Sequence, residues 1–141
     1  MFDIGDVITS IDESYACTTT TKDTPPQGRS VLFIEKVNQE EGDEVVKYGE
    51  QLRFVTNPYF YVKPLYLHSC QISPLAFARF SRNQEVCMSY KPIYNTVWTI
   101  LPPAGNGSPL IGTPVQANTE LLIVHGATKE FLSNDHINYG N

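Results

Sequence analysis

The chain has 141 residues, enough for one domain whose core buries roughly two thirds of the unfolded surface. At 41% hydrophobic and 18% charged it has an ordinary globular balance, which excludes global disorder. Ten Lys and Arg against fifteen Asp and Glu leave a net charge of -5, and no two basic residues are adjacent. A nucleic-acid partner is thereby excluded, because such binding needs a cationic field to displace condensed counterions.

Cys17, Cys70 and Cys87 are widely spaced and odd in number, the pattern of free, buried thiols in a reducing compartment rather than of a disulfide scaffold. No segment reaches the ~18 apolar residues that cross a bilayer, so no membrane partner is expected. Met1-Phe2-Asp3-Ile4-Gly5-Asp6 lacks the cationic-then-apolar order of a signal peptide. The expectation is a soluble intracellular protein.

Along the chain, short apolar or alternating segments are closed by Pro, Gly, Asn or Asp, the signature of strands and turns. Residues 14–28, with four consecutive threonines and Pro25-Pro26, read as a weakly ordered connection or an exposed strand. Val31 to Val37 is a strand rich in β-formers, followed by an acidic turn over Asn38 to Asp43. Glu44 to Tyr48 is expected to return as the second strand of that hairpin. Gln51 to Val55 alternates polar and apolar, as a half-buried strand does. Tyr61-Val62 and Leu65 to Leu67 read as strands around a turn at Lys63-Pro64. Pro74 to Arg82 is the one candidate helix, and its Leu75, Phe77 and Phe80 do not share a face, so a turn or loop is an equal reading. Glu85 to Met88 and Thr96 to Ile100 are the next strands, followed by a Pro- and Gly-rich loop, Leu101 to Pro109, expected to carry no regular structure. Leu121 to His125 and Phe131-Leu132 close the series through Gly126-Ala127-Thr128.

Comparing the chain with itself reveals a repeat. Val46-Lys47-Tyr48-Gly49-Glu50-Gln51-Leu52 matches Val115-Gln116-Ala117-Asn118-Thr119-Glu120-Leu121, and each unit goes on to an aromatic–leucine strand. Gly49 and Asn118 fall at equivalent turn positions where a positive φ is tolerated. Ser30-Val31-Leu32-Phe33-Ile34 echoes Thr96-Val97-Trp98-Thr99-Ile100, and Gly5-Asp6-Val7-Ile8 resembles a worn fragment of an earlier unit. Two hairpin strands and two linking strands per unit imply an all-β, β-trefoil-like single domain over residues 1–141, incomplete at both chain ends. Edges left open in this way are relieved by a partner chain or by a longer gene product.

Pro26 to Ile34, then Val46-Lys47-Tyr48-Gly49-Glu50, Leu65-Tyr66-Leu67, Gln84-Glu85-Val86, Trp98 and Pro102 lead to the closing block Gly112 to His125, with Thr128 and Phe131-Leu132 beyond. In order and spacing this resembles the family of cilia- and flagella-associated protein 161, from about Gly5 to the C-terminus. The resemblance implies a microtubule inner protein: a structural, non-catalytic component that binds α/β-tubulin and neighbouring inner proteins in the lumen of the axonemal doublet. It also implies a fold similar to MIR-type trefoils. The chain is shorter than the family pattern on both sides.

No catalytic constellation is present, and no cofactor or metal is expected. His68, His125 and His136 lack metal-ligand spacing and read as surface or interface imidazoles, with His68 and His125 in similar places in their units. Gly105-Asn106-Gly107-Ser108 lacks the Lys and following helix of a phosphate loop, and Asn106-Gly107-Ser108 fits the glycosylation pattern only by accident. The candidate contact site is Asn57 to Pro64, where Tyr59, Phe60 and Tyr61 stand together beside Lys63 in a proline-bounded loop. Consecutive side chains on a strand face opposite ways, so the three cannot enter one core, and an aromatic anchor is the functional reading. Arg79, Arg82 and Lys91 are further candidates for meeting an acidic tubulin surface. The alternative function is a trefoil that reads a carbohydrate or a lipid headgroup, which calls for matching polar residues in the units. Asn134 and Asp135 qualify, whereas the corresponding Ser69-Cys70 do not.

Overall fold

The computed structural model describes residues 14–19, 23–103 and 107–134. These build an all-β fold of β1 (Ser14–Ala16), β2 (Leu32–Lys36), β3 (Gln51–Thr56), β4 (Tyr66–Ser69), β5 (Val86–Ser89), β6 (Trp98–Leu101) and β7 (Leu122–His125). All seven strands join one antiparallel sheet in the order β1-β5-β4-β3-β6-β7, with β2 attached to β3. Among the described residues, helical structure is limited to 3-10 turns at Gly28–Ser30 and Tyr94–Thr96 and a four-residue helix, α1 (Gly107–Leu110). Pro109 is tolerated there because its missing N–H falls in the first turn.

β3 is the junction. Its residues 52–56 pair with β2 along one edge, Leu32 opposite Thr56 through Lys36 opposite Leu52. The other edge is divided, with β4 at Val55 and β6 at Gln51 and Leu52. Its alternation sends Leu52, Phe54 and Thr56 inward. The core gathers Tyr48, Leu52, Phe54, Leu65, Leu67, Met88, Trp98 and Ile100. Each fully buried aliphatic side chain here contributes about 2 kcal/mol.

Several expectations need correction. The partner of the 31–37 strand is β3, not Glu44 to Tyr48. That segment instead meets a distant one: the Tyr48 amide donates to the Thr113 carbonyl (3.0 Å) and the Val115 amide to the Val46 carbonyl (2.8 Å). Such non-local pairing leaves no trace in local spacing. Tyr61-Val62 forms no strand, and the 101–109 stretch runs into α1 rather than being only loop, whereas Pro74 to Arg82 follows its turn reading and not its helical one.

The internal repeat is present in three dimensions. The two 3-10 turns are 66 residues apart, and each is closed by a hydroxyl, Ser30 Oγ donating to the Gln27 carbonyl (2.8 Å) and Thr96 Oγ1 to that of Ile93 (2.6 Å). Each then leads into a strand of matched register: Leu32 faces Thr56 as Trp98 faces His125, and Ile34 faces Phe54 as Ile100 faces Ile123. Each hairpin closes alike, Val55 opposite Tyr66 and Val124 opposite Phe131. Gly49 (φ 90) and Asn118 (φ 59) both have positive φ at the equivalent turns.

Candidate functional site

The two hairpins differ most at their tips. Residues 57–64 join Thr56 to Leu65, whereas residues 126–129 join His125 to Glu130, so the first unit carries four more residues where the fold needs none. Asn57 organises this longer tip from a buried position. Its side-chain NH2 donates to the Gly28 carbonyl (3.0 Å), and its side-chain oxygen accepts the Tyr59 amide (3.0 Å). Its backbone carbonyl accepts the Phe60 (3.0 Å) and Tyr61 (3.2 Å) amides. Pro58 supplies the fixed φ that such a turn favours at its second position.

The tip is therefore held by a buried anchor while presenting apolar surface outward. Tyr59 is 88% exposed, Phe60 60% and Val62 104%. Tyr61 instead turns back, half-buried against the core, and its hydroxyl lies 3.5 Å from the Arg29 carbonyl. The Phe60 ring lies over Gly28, where an added Cβ would sit 2.5 Å from it. Lys63 Nζ is 5.8 Å from the Tyr90 ring centroid, near the outer limit of a cation–π contact.

The sequence-derived candidates thus divide. Tyr59, Phe60, Tyr61 and Lys63 share one loop. Lys91 is exposed next to Tyr90, the residue that Lys63 approaches. Arg79 and Arg82 belong to a separate stretch of turns, each set against a phenylalanine, Phe80 (5.6 Å) and Phe77 (5.0 Å). Val62 and Asn57 were not singled out from the sequence as contact or anchor, although Asn-Pro is a turn-initiating pair. A second exposed apolar group, Ile72, Leu75 and Phe80, had no signal beyond its lack of periodicity.

The histidine expectation is overturned for His125, which is fully buried on β7. Its Nε2 lies 2.9 Å from the Asn95 carbonyl, an acceptor only, so Nε2 carries the hydrogen. Nδ1 faces the Thr128 hydroxyl at 2.9 Å, and the ring stacks at a tilt on Trp98, 4.7 Å between centroids. The Gln84 amide nitrogen donates to Thr128 (2.9 Å) and to Ser69 on β4 (2.7 Å), stitching the two hairpins together. Trp98 Nε1–H donates to the Leu67 carbonyl (2.8 Å) across the same seam. His125 is equivalent to Thr56, not to His68, which lies half-buried on β4 with Nδ1 3.4 Å from the Cys87 sulfur. His136 lies outside the described residues. Among the described residues every buried side-chain nitrogen and oxygen has a partner.

Burial pushes the thiols of Cys17 and Cys87 up to about 12 and raises that of Cys70, which keeps all three far from the reactive thiolate form. All three are free cysteines. Among the described residues no group of three or more His, Cys, Asp or Glu is placed to hold a metal ion. Of the polar pair expected for sugar or headgroup binding, the Asn134 side-chain oxygen already accepts the Thr19 hydroxyl (2.9 Å), and Asp135 lies outside the described residues. Compared with known proteins, the chain matches no family model, and no curated protein is significantly similar to it.

Proposed function

We propose that this is a non-catalytic assembly domain whose aromatic tip, residues 57–64, docks into a protein partner, and that the partner is the tubulin wall in the lumen of the ciliary or flagellar doublet. The observation that carries the docking role is the four-residue excess of that tip, which places Tyr59, Phe60 and Val62 in solvent from a buried asparagine anchor. Exposed aromatics fixed by a rigid base lose little conformational freedom on docking, the property that makes them interface anchors. The resemblance in sequence to the cilia- and flagella-associated protein 161 family supplies the identity of the partner. The matched register of the two units supports a β-trefoil-like arrangement of the MIR kind.

The test replaces Tyr59 and Phe60 together by Ala in the full chain. Because both side chains lie outside the core, the melting temperature should stay within a few degrees of the parent. Association with doublet microtubules should weaken by more than about tenfold. A double variant that binds as well as the parent removes the tip from the interface, and one that unfolds makes the tip a structural element.

A further inference from the structure

The connection from β4 to β5, residues 70–85, holds the two arginines that stand apart from the aromatic tip. No Asp or Glu lies between Glu50 and Glu85, in a chain whose net charge is -5. Within the connection, residues 78–83 close on themselves. The Ala78 amide donates to the Asn83 carbonyl and the Arg82 amide to that of Ala78, both at 2.9 Å. Ser81 is half-buried in this loop, with exposed Arg79 two residues before it and exposed Arg82 directly after. Its hydroxyl oxygen accepts the Asn83 amide (3.2 Å).

Two features set this loop apart. The ion pairs among the described residues draw only on Lys36, Lys47 and Arg53, so no carboxylate there offsets Arg79 or Arg82, whose guanidiniums lie against phenylalanine rings. Arg82 also has φ 63, a left-handed conformation that a residue with a side chain holds only at a cost. Opening the loop returns that cost, so residues 79–82 can be drawn into the extended form that a kinase cleft accepts.

We propose that Ser81 is a phosphorylation site for an arginine-directed serine/threonine kinase. Arg79 supplies the positive charge by which such a kinase selects its substrate. In the transfer, Ser81 Oγ bonds to the γ-phosphorus of Mg·ATP as the bond from that phosphorus to the β–γ bridging oxygen breaks. ADP leaves, and the hydroxyl proton passes to the kinase's catalytic aspartate. Spacing alone does not single out this residue, because Arg53-Phe54-Val55-Thr56 also places a hydroxyl after an arginine. Thr56, however, is 2% exposed and lies within β3. A phosphoserine carries about -1.5 to -2 at neutral pH, so it cancels the two arginines and offers their guanidiniums three acceptor oxygens. The loop thereby changes from a cationic surface to a near-neutral one. The site is separate from the aromatic tip, and its test does not involve tubulin, so either reading can fail alone.

The probe is the catalytic subunit of cyclic-AMP-dependent protein kinase with Mg·ATP, acting on the folded full chain. The chain should take up a single phosphate, and fragment masses should place it on Ser81. Ser81→Ala should lower incorporation by about tenfold or more. Arg79→Ala should slow the initial rate by a similar factor, about tenfold, which a serine chosen for exposure alone would not show. Both variants should melt with the parent, since neither side chain belongs to the core. Absence of incorporation, a phosphate mapped to another residue, or an unchanged rate in Arg79→Ala overturns the proposal.

Discussion

The two repeat units have the same register and the same turn geometry, yet among the described residues one is sealed and the other open. In the second, β6 lies between β3 and β7, and Trp98 is 1% exposed with its indole N–H satisfied by Leu67. In the first, β2 has a partner on one side only among the described residues, its counterpart Leu32 is half-buried, and Phe33 and Ile34 are exposed. The first unit also carries the longer, aromatic tip. Fold-building residues are thus concentrated where the units meet, and exposed apolar surface among the described residues is concentrated on the unit with the longer tip. Shared backbone geometry fixes where strands lie, and the presence or absence of a neighbouring strand decides what each position is used for.

Equivalent substitutions in the two units give the sharpest contrast. Trp98→Ala should cost about 3–5 kcal/mol, from a large cavity and an orphaned Leu67 carbonyl. Leu32→Ala, at the matching position, should cost less, about 1–2 kcal/mol, because part of its surface is already wet. Denaturant melts of the two variants check this, and equal losses would mean that the β2 edge is covered in solution. The turn positions make a smaller pair. Gly49→Ala puts a Cβ at φ 90 and 3.1 Å from Ile111, which should cost about 1–2 kcal/mol. Asn118→Gly should change stability by less than about 0.5 kcal/mol, since asparagine already tolerates that conformation.

Much of this was legible in the sequence. Strand positions at 31–37, 51–55, 85–88, 96–100 and 121–125 follow from β-branched and aromatic runs between breakers, and the repeat was visible because Val46, Gly49 and Leu52 recur as Val115, Asn118 and Leu121. Pairing was less legible. The alliance of 46–48 with 112–115 and the division of one β3 edge between β4 and β6 join residues far apart in the chain, and no local pattern encodes them. His125 was misplaced because its burial depends on Gln84 and Asn95 converging from distant segments onto the hairpin that carries Thr128. At the tip, the cluster of Tyr59, Phe60 and Tyr61 was evident, but which ring turns inward depends on the Asn57 anchor and on Gly28 beneath Phe60.

The smallest effect is electrostatic and should also distinguish the units. In the loop between β2 and β3, Asp43 lies 3.0 Å from Lys36 and 3.1 Å from Lys47, and their hydrogen bonds hold its carboxyl below the usual range. Burial works to lower the Lys36 pKa, but the hydrogen bonds it donates to Asp43 and Glu50, with their negative charge, outweigh it, leaving it raised. A depressed carboxyl stabilises the fold above its unfolded pKa of about 4 and loses that contribution as pH falls through the folded value. Acidification below that point should speed amide exchange over residues 37–47 while leaving β6 and β7 unchanged. Asp43→Asn should remove the difference, and uniform loosening of both units would contradict it.

The central claim is that the chain is a built-in component of the doublet wall. Its most direct test is stepwise extraction of purified axonemes, with the protein followed by mass spectrometry through high salt and then sarkosyl. Retention through salt, with release only as the doublet walls come apart, is the predicted result. Release with the soluble matrix before the walls are disturbed would contradict the account.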